Sequence, residues 1–262
     1  MDEILGYYET GEELGRLERG YSRLEFARTK ELLLRYLPPP PARVLDVGGG
    51  PGVYAAWLAD AGYEVKLVDL TPLHVKEARD RAVGRFVTEV GDARALAEPE
   101  ESYDVVLLLG PLYHLVERVD RVQALKEARR VLRPDGLLAA AAISRFGSLL
   151  DGLLRGMLDP TGWKLVERAL ADGRHLPGPD DGALFTTAYL HLSDELEAEI
   201  EEGGFRLLGL FGIEGPGWLR AETLDETDGF ETAMRVARAI EQERTLIGAS
   251  AHLLGIGCAG GK

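Results

Sequence analysis

Val44-Leu45-Asp46-Val47-Gly48-Gly49-Gly50-Pro51-Gly52 carries an apolar strand straight into a cluster of glycines, and Val53–Ala61 behind it reads as a helix. Glycine tolerates positive φ and presents no side chain, so a strand ending this way lets a ligand approach the backbone at its carboxyl end. The stretch reads as a loop for a nucleotide-like cofactor. The dinucleotide fingerprint Gly-x-Gly-x-x-Gly, counted from Gly48, requires glycine where Val53 stands. The pattern present is Asp-x-Gly-x-Gly-x-Gly, opened by Asp46.

Outward from this loop, strands and helices alternate. Strands are expected at Arg43–Val47, Glu64–Asp69, Arg85–Val90, Tyr103–Leu109 and Leu137–Ile143, with helices at Val53–Ala61, Pro72–Ala82 and Val119–Leu132. The strands are near-continuous apolar runs, as in a sheet covered on both faces. This rhythm predicts an α/β fold, a Rossmann-like doubly wound sheet of seven strands. Gly136, after Arg133-Pro134-Asp135, is read as the turn that ends one helix and starts the next strand.

Ahead of this core, Ile4 to Leu37 has helical spacing and predicts two N-terminal helices, closed off by the four prolines Pro38 to Pro41. Behind it, Ser144 to Leu192 breaks the rhythm with helix-like stretches near Ser148–Met157 and Trp163–Ala171 and reads as an inserted helical cap. Ser193-Asp194-Glu195 opens a further helix, Phe205–Ile213 reads as a strand, Glu231–Arg244 as a helix and Ala249–Gly257 as the last strand. The expected organisation is 1–42 N-terminal helices over the cofactor site, 43–143 core, 144–192 cap, and 193–262 the remainder of the sheet.

The 262 residues suffice for one large domain, and 45% hydrophobic with 28% charged residues is an ordinary globular balance. A net charge of −14 disfavours nucleic acid as a partner. The longest apolar run falls far short of the ~20 residues that cross a bilayer, and Met1-Asp2-Glu3 lacks the basic start of a signal peptide. No membrane partner and a cytoplasmic location are therefore expected. Cys258, the single cysteine, has no internal disulfide partner, and no spacing suggests a metal site.

The glycine loop with Asp46 resembles motif I of the class I S-adenosylmethionine (SAM)-dependent methyltransferases, in particular bacterial small-molecule enzymes. Further points support the resemblance: Leu67-Val68-Asp69 ends the second strand, Gly91-Asp92-Ala93 follows the third, Tyr103 to Leu115 covers the fourth, and Val131 to Leu138 is similar to the junction before the fifth. The resemblance implies that Asp46, Gly48, Gly49, Gly50 and Gly52 hold the methionine end of SAM. Asp69 with Leu70 would meet the ribose, Asp92 with Ala93 the adenine, and Leu109, Gly110 and Tyr113 would lie beside the cofactor. Tyr7-Tyr8, Glu12, Arg16 and Leu24-Glu25-Phe26-Ala27-Arg28-Thr29 resemble entrance helices that fold over SAM in a bacterial subgroup, and Arg28 is a candidate for the SAM carboxylate, since guanidinium matches carboxylate geometry.

A sulfonium methyl is already activated, so the protein mainly aligns the acceptor and excludes water. Where a base is needed, His114, just past the fourth strand, is the candidate, with His175 and His191 of the cap as further ones and His74 and His252 read as structural or exposed. Glu214, Trp218 and Trp163 are candidate pocket walls. The expected reaction is methyl transfer to O or N of a small molecule, yielding S-adenosylhomocysteine, by a monomer or homodimer. Alternatives are another SAM-using transferase or cyclase, a non-catalytic SAM-binding regulator, or, less favoured because of Val53 and Asp92, a nicotinamide enzyme.

Overall fold

The computed structural model describes residues 15–18, 20, 22–178 and 186–260. After a 3-10 turn at Arg16–Glu18, helix α1 (Ser22–Leu34) leads into β1 (Arg43–Val47), α2 (Val53–Asp60), β2 (Glu64–Asp69), α3 (Pro72–Ala82), β3 (Val87–Val90) and β4 (Tyr103–Leu108). A short α4 (Pro111–His114), α5 (Arg118–Val131) and a long β5 (Leu132–Ser144) follow. Next come α6 (Gly147–Arg155), α7 (Pro160–Asp172), β6 (Arg174–His175), β7 (Ala188–His191), α8 (Ser193–Glu202) and β8 (Arg206–Gly212). A 3-10 stretch (Gly215–Thr223), α9 (Thr227–Ile240) and β9 (His252–Cys258) complete the chain. Of the two expected N-terminal helices, α1 is present; most of the other, with Tyr7, Tyr8 and Glu12, lies outside the described residues.

Seven strands run in the order β3-β2-β1-β4-β5-β9-β8, the first five parallel and β9 antiparallel to both its neighbours. Alternate residues face opposite layers. Leu45, Val47, Val106, Leu108 and Leu138 pack with Leu125 of α5 and Leu196 and Ile200 of α8. Val44, Leu67, Val105, Leu107 and Ala139 pack with Leu32 and Leu33 of α1, Leu58 of α2 and Ala78 of α3. Covering both faces is what made these strands continuous apolar runs. Because β1 leads outward to β2 and β3 while β4 leads the other way to β5, a crevice opens where the carboxyl ends of β1 and β4 diverge.

Two details differ from the sequence reading. β5 begins at Leu132 rather than Leu137: its pairing with β4 jumps from Tyr103↔Leu132 to Val105↔Leu137, and the surplus residues form a bulge in which Asp135 takes φ 61°. The turn signal around Gly136 thus makes a bulge inside a strand. The segment read as a cap adds β6 and β7, so the whole sheet has nine strands among the described residues. Ile143 pairs with His252 of β9 on one edge and with Leu190 of β7 on the other, the edge that β4 occupies further back. β7 therefore continues beyond the carboxyl end of β4. Arg145 fastens it there, donating to the Leu190 carbonyl (2.8 Å) and to Glu195 (2.7 Å). No described helix is long and apolar enough to cross a membrane.

Candidate active site

A pocket opens along the carboxyl ends of β2, β1 and β4 and reaches Ala141 of β5 and His252 of β9. Its floor is the glycine loop. A β-carbon at Gly49 would lie 2.6 Å from the Asp46 carboxylate, so only glycine lets that carboxylate sit beneath the loop. Gly48 has φ 69°, and a β-carbon there would strike the Pro111 ring at 2.6 Å. The loop and the β4–α4 corner thus fit only because residue 48 is glycine.

Asp46 is fully buried and lines the pocket, and its carboxylate has no cationic or side-chain partner among the described residues, only the Ala55 amide beside it. Burial first, and the Asp69 charge second, push its carboxyl up to about 7. A buried carboxylate without a cationic partner is costly, and a cationic ligand group relieves it. Asp69, at the end of β2, accepts from the amides of Gly50 (2.9 Å) and Thr71 (2.8 Å), with His74 Nδ1 at 3.3 Å. It holds the loop's shape and still faces the pocket. Asp92, past β3, is clasped by Arg94 through its amide (2.9 Å) and guanidinium (2.6 Å). That hydrogen bonding keeps its carboxyl below the usual range.

Gly50, Leu70, Ala93, Leu109, Gly110 and Tyr113 line the same pocket, as the sequence reading expected. So does His114, at the end of α4. Its ring bonds to the Thr187 backbone, and burial drives it down to about 4, so at neutral pH it is uncharged.

Other expectations are corrected. Arg28 does not line the pocket: it is fully buried, donates to the Ile213 carbonyl (3.2 Å) and pairs with Glu241 (2.6 Å) and Glu31 (3.0 Å), tying α1 to the far edge of the sheet. Gly52 sits behind the loop against Phe86 and Ala78. His191 is buried against Glu199 (3.2 Å) and His175 is buried on β6; neither lines the pocket. No described residue of 144–192 does. Trp218 is a core residue donating to the Ala249 carbonyl (3.0 Å), and Trp163 is exposed on α7.

The opposite wall is partly the N-terminal stretch expected over the cofactor and partly residues that were not expected there, Tyr54, His74, Ile213 and His252. Arg16 lines the pocket with Glu25 and Thr29 of α1, Tyr54 of α2, His74 of α3, Ile213 and His252. Arg16 grips Glu25 through both guanidinium nitrogens (2.7 and 3.2 Å). Glu214, fully buried behind the wall, accepts from His252 Nδ1 (2.6 Å), the His252 amide (3.0 Å) and Ser250 Oγ (2.7 Å). Although burial opposes it, the Glu25 and Glu214 carboxylates raise His252 to about 9, so it carries a proton at neutral pH. Donor atoms of Glu25, Glu214 and His252 fall within 4.8 Å of one another, but Arg16 and the imidazole itself already satisfy them as an ion cluster. These wall residues come from distant parts of the chain: Arg16, Glu25 and Thr29 fall in the N-terminal stretch expected over SAM, whereas no local motif announces Ile213 or His252.

SAM suits this donor set. Asp46 presents a buried negative charge that an ammonium group would satisfy, the glycine loop a bare backbone, and Asp69 and Asp92 carboxylates follow successive strand ends.

Residues 44–136 match the family described as methyltransferase domain. "Methyltransferase GfsG" of Streptomyces halstedii is 32% identical over 177 residues, 65% of this chain and 55% of that one. The malonyl-[acyl-carrier protein] O-methyltransferase of Geobacter sulfurreducens is 35% identical over 176 residues, 65% of this chain and 58% of its own. The chain therefore spans little more than half the length of these curated relatives. Among solved structures, an S-adenosylmethionine dependent methyltransferase from Mesorhizobium loti superposes with a TM-score of 0.60 at 18% identity, covering 90% of this chain and 99% of that one, a likeness of fold. The glycine loop, the strand-end carboxylates and these matches fall on one segment, so residues 44–136 are similar in sequence to the methyltransferase domain, and the fold is similar to that of SAM-dependent methyltransferases.

Proposed function

We propose that the protein transfers the methyl group of SAM to a nucleophilic oxygen or nitrogen of a small molecule bound at the β5–β9 end of the pocket. The observation that carries this reading is Asp46: a buried carboxylate with no cationic partner, under a loop that a side chain would block, in line with Asp69 and Asp92. SAM supplies an electrophilic methyl on a sulfonium centre, which needs alignment more than acid–base force. Asp46 pairs with the ammonium end, Asp69 accepts from the ribose hydroxyls, and Asp92 with Ala93 borders the base. Leu109, Gly110 and Tyr113 shape the wall alongside. His114, neutral at working pH, is placed to accept a hydrogen bond from an acceptor rather than to take a strongly held proton.

The test is calorimetric titration with SAM, S-adenosylhomocysteine and NADH, repeated on Asp69→Ala. The expected result is binding of both adenosyl ligands, none of NADH, and a loss of about 10- to 100-fold in the variant, the scale of a lost charge-assisted hydrogen bond. Folded protein that binds NADH and neither adenosyl ligand refutes the reading.

A further inference from the structure

Asp69, Asp46 and His252 stand at the ends of β2, β1 and β9, and the strand order β2-β1-β4-β5-β9 separates the first from the last by four inter-strand steps. At ~4.8 Å per step, the pocket is ~19 Å wide, with His252 ~14 Å from the Asp46 column. The residues assigned to the cofactor occupy the β3-to-β4 part. What remains is the β5–β9 end, where Ala141 and Ile213 give an apolar floor and His252 a polar wall.

His252 is built as an oriented imidazole. Its Nδ1 is bound at 2.6 Å to Glu214, which is itself fixed by Ser250 Oγ and the His252 amide. Nε2 has no partner among the described residues, and the side chain keeps 18% of its surface exposed on the pocket. A buried carboxylate holding one nitrogen of a protonated imidazole that lines a cavity fixes it as an oriented cationic donor there. The charged and titratable groups around it are Glu214 behind, Glu25 from α1 at 4.0 Å, Arg16 locking Glu25, and Tyr54 of α2.

From this geometry we infer that the His252–Glu214 pair receives the acceptor as an acidic oxygen, a phenol, enol or carboxylic acid, held as its anion against Nε2–H. The inference rests on the methyl-transfer reading and narrows its acceptor from O or N to an ionisable O. For a phenol, the O–H bond breaks, its electron pair stays on oxygen, and the proton leaves to solvent, because Nε2 of the protonated imidazole already carries its own; for an acceptor arriving ionised, no proton moves. Glu214 is a positioning residue. An imidazole that keeps its proton to about 9 presents a cationic N–H to the anion at neutral pH, whereas His114, brought down to about 4, is uncharged there and offers no such charge. An ammonium-bearing acceptor meets a like charge at Nε2.

The experiment titrates 4-nitrophenol, 4-nitrobenzoate and 4-nitrobenzylamine into protein saturated with S-adenosylhomocysteine, following heat and the phenolate absorption band. Expected are binding of the two acids at least ~10-fold tighter than the amine, and a phenolate band appearing at lower pH than for the free phenol. His252→Gln should erase the acid preference by ~10- to 100-fold while leaving S-adenosylhomocysteine affinity within about twofold. Glu214→Gln, which keeps the imidazole, should move the onset of the phenolate band upward and serves if the first variant fails to fold. Equal or tighter binding of the amine, no binding of any probe, or an unchanged phenolate band in both variants overturns the inference. So does a loss of more than tenfold in S-adenosylhomocysteine affinity in His252→Gln, which would assign His252 to the cofactor. Wild-type protein that fails to bind S-adenosylhomocysteine at all defeats the methyl-transfer reading instead.

Discussion

At the scale of single residues, the cofactor side of the pocket was legible because its chemistry is local in sequence. Asp46 and its glycines are contiguous, and Asp69 and Asp92 each close a strand recognisable from its own apolar run. What single residues did not disclose was state. Asp46 is a buried carboxylate without a cationic partner, and the sign of its effect follows. A folded-state value raised to about 7 means that the folded protein holds a proton which the unfolded chain, near 3.9, has released. Asp46 therefore costs the ligand-free protein stability increasingly as pH rises from about 4 to 7. Asp46→Asn should raise the ligand-free melting temperature at pH 8 and weaken SAM binding by about 10- to 100-fold. In the wild type, SAM affinity should fall up to about tenfold per pH unit below 7 as the carboxylate protonates. Calorimetry on both proteins reads both effects; a variant less stable than wild type with unchanged affinity would show that Asp46 has a structural partner in solution.

At the scale of elements, β1, β2 and β4 lie within a residue of their expected bounds because burial on both faces leaves a continuous apolar signature. Ends shift where geometry rather than composition decides: the bulge advances β5 to Leu132, and β9 starts at His252 although the apolar run begins at Ala249. The far wall as a joint feature has the same origin. Arg16, Glu25 and His252 are ordinary charged residues in their own elements, and only the antiparallel insertion of β9 beside β5 brings them together. One element end carries a strain that packing does not require. Val83, the C-cap of α3, takes φ 46° and ψ 39° with 82% of its surface exposed. A β-branched residue is poorly suited to that region, which asparagine tolerates. Val83→Asn should stabilise the protein by about 0.5–1 kcal/mol, measured by urea unfolding at pH 7. A loss of stability would mean that the exposed valine contributes packing that its solvent exposure conceals.

At the scale of the molecule, the two walls act on folding in the same direction. His252 is raised to about 9 by Glu214 and Glu25, so its contribution is complete below about 6.5 and is lost as pH rises through 9. Asp46 also lowers stability as pH rises, in the window below 7. Opposing them at the acid end, Arg-paired carboxylates such as Glu31, held down to about 2, lose their pairing only as pH falls well below 4.5. The net charge of −14 adds repulsion on the alkaline side. These signs combine to place maximal stability of the ligand-free protein on the acid side of neutrality, near pH 5. From there to pH 9 each buried group contributes a decline of up to about 1 kcal/mol per unit within its own window. A bound cationic cofactor reverses the Asp46 part, because the ionised carboxylate then has its partner, and leaves the His252 part in place. Scanning calorimetry from pH 4 to 9, without ligand and with saturating S-adenosylhomocysteine, should show the maximum moving upward toward neutrality on binding, with the fall between pH 7 and 9 retained in both. Should the maximum stay put, Asp46 is not the group that meets the cofactor's ammonium, and the pocket's negative end must be assigned elsewhere; a flat profile between pH 7 and 9 would remove the charge from His252 and with it the acid-oxygen preference inferred for the far wall.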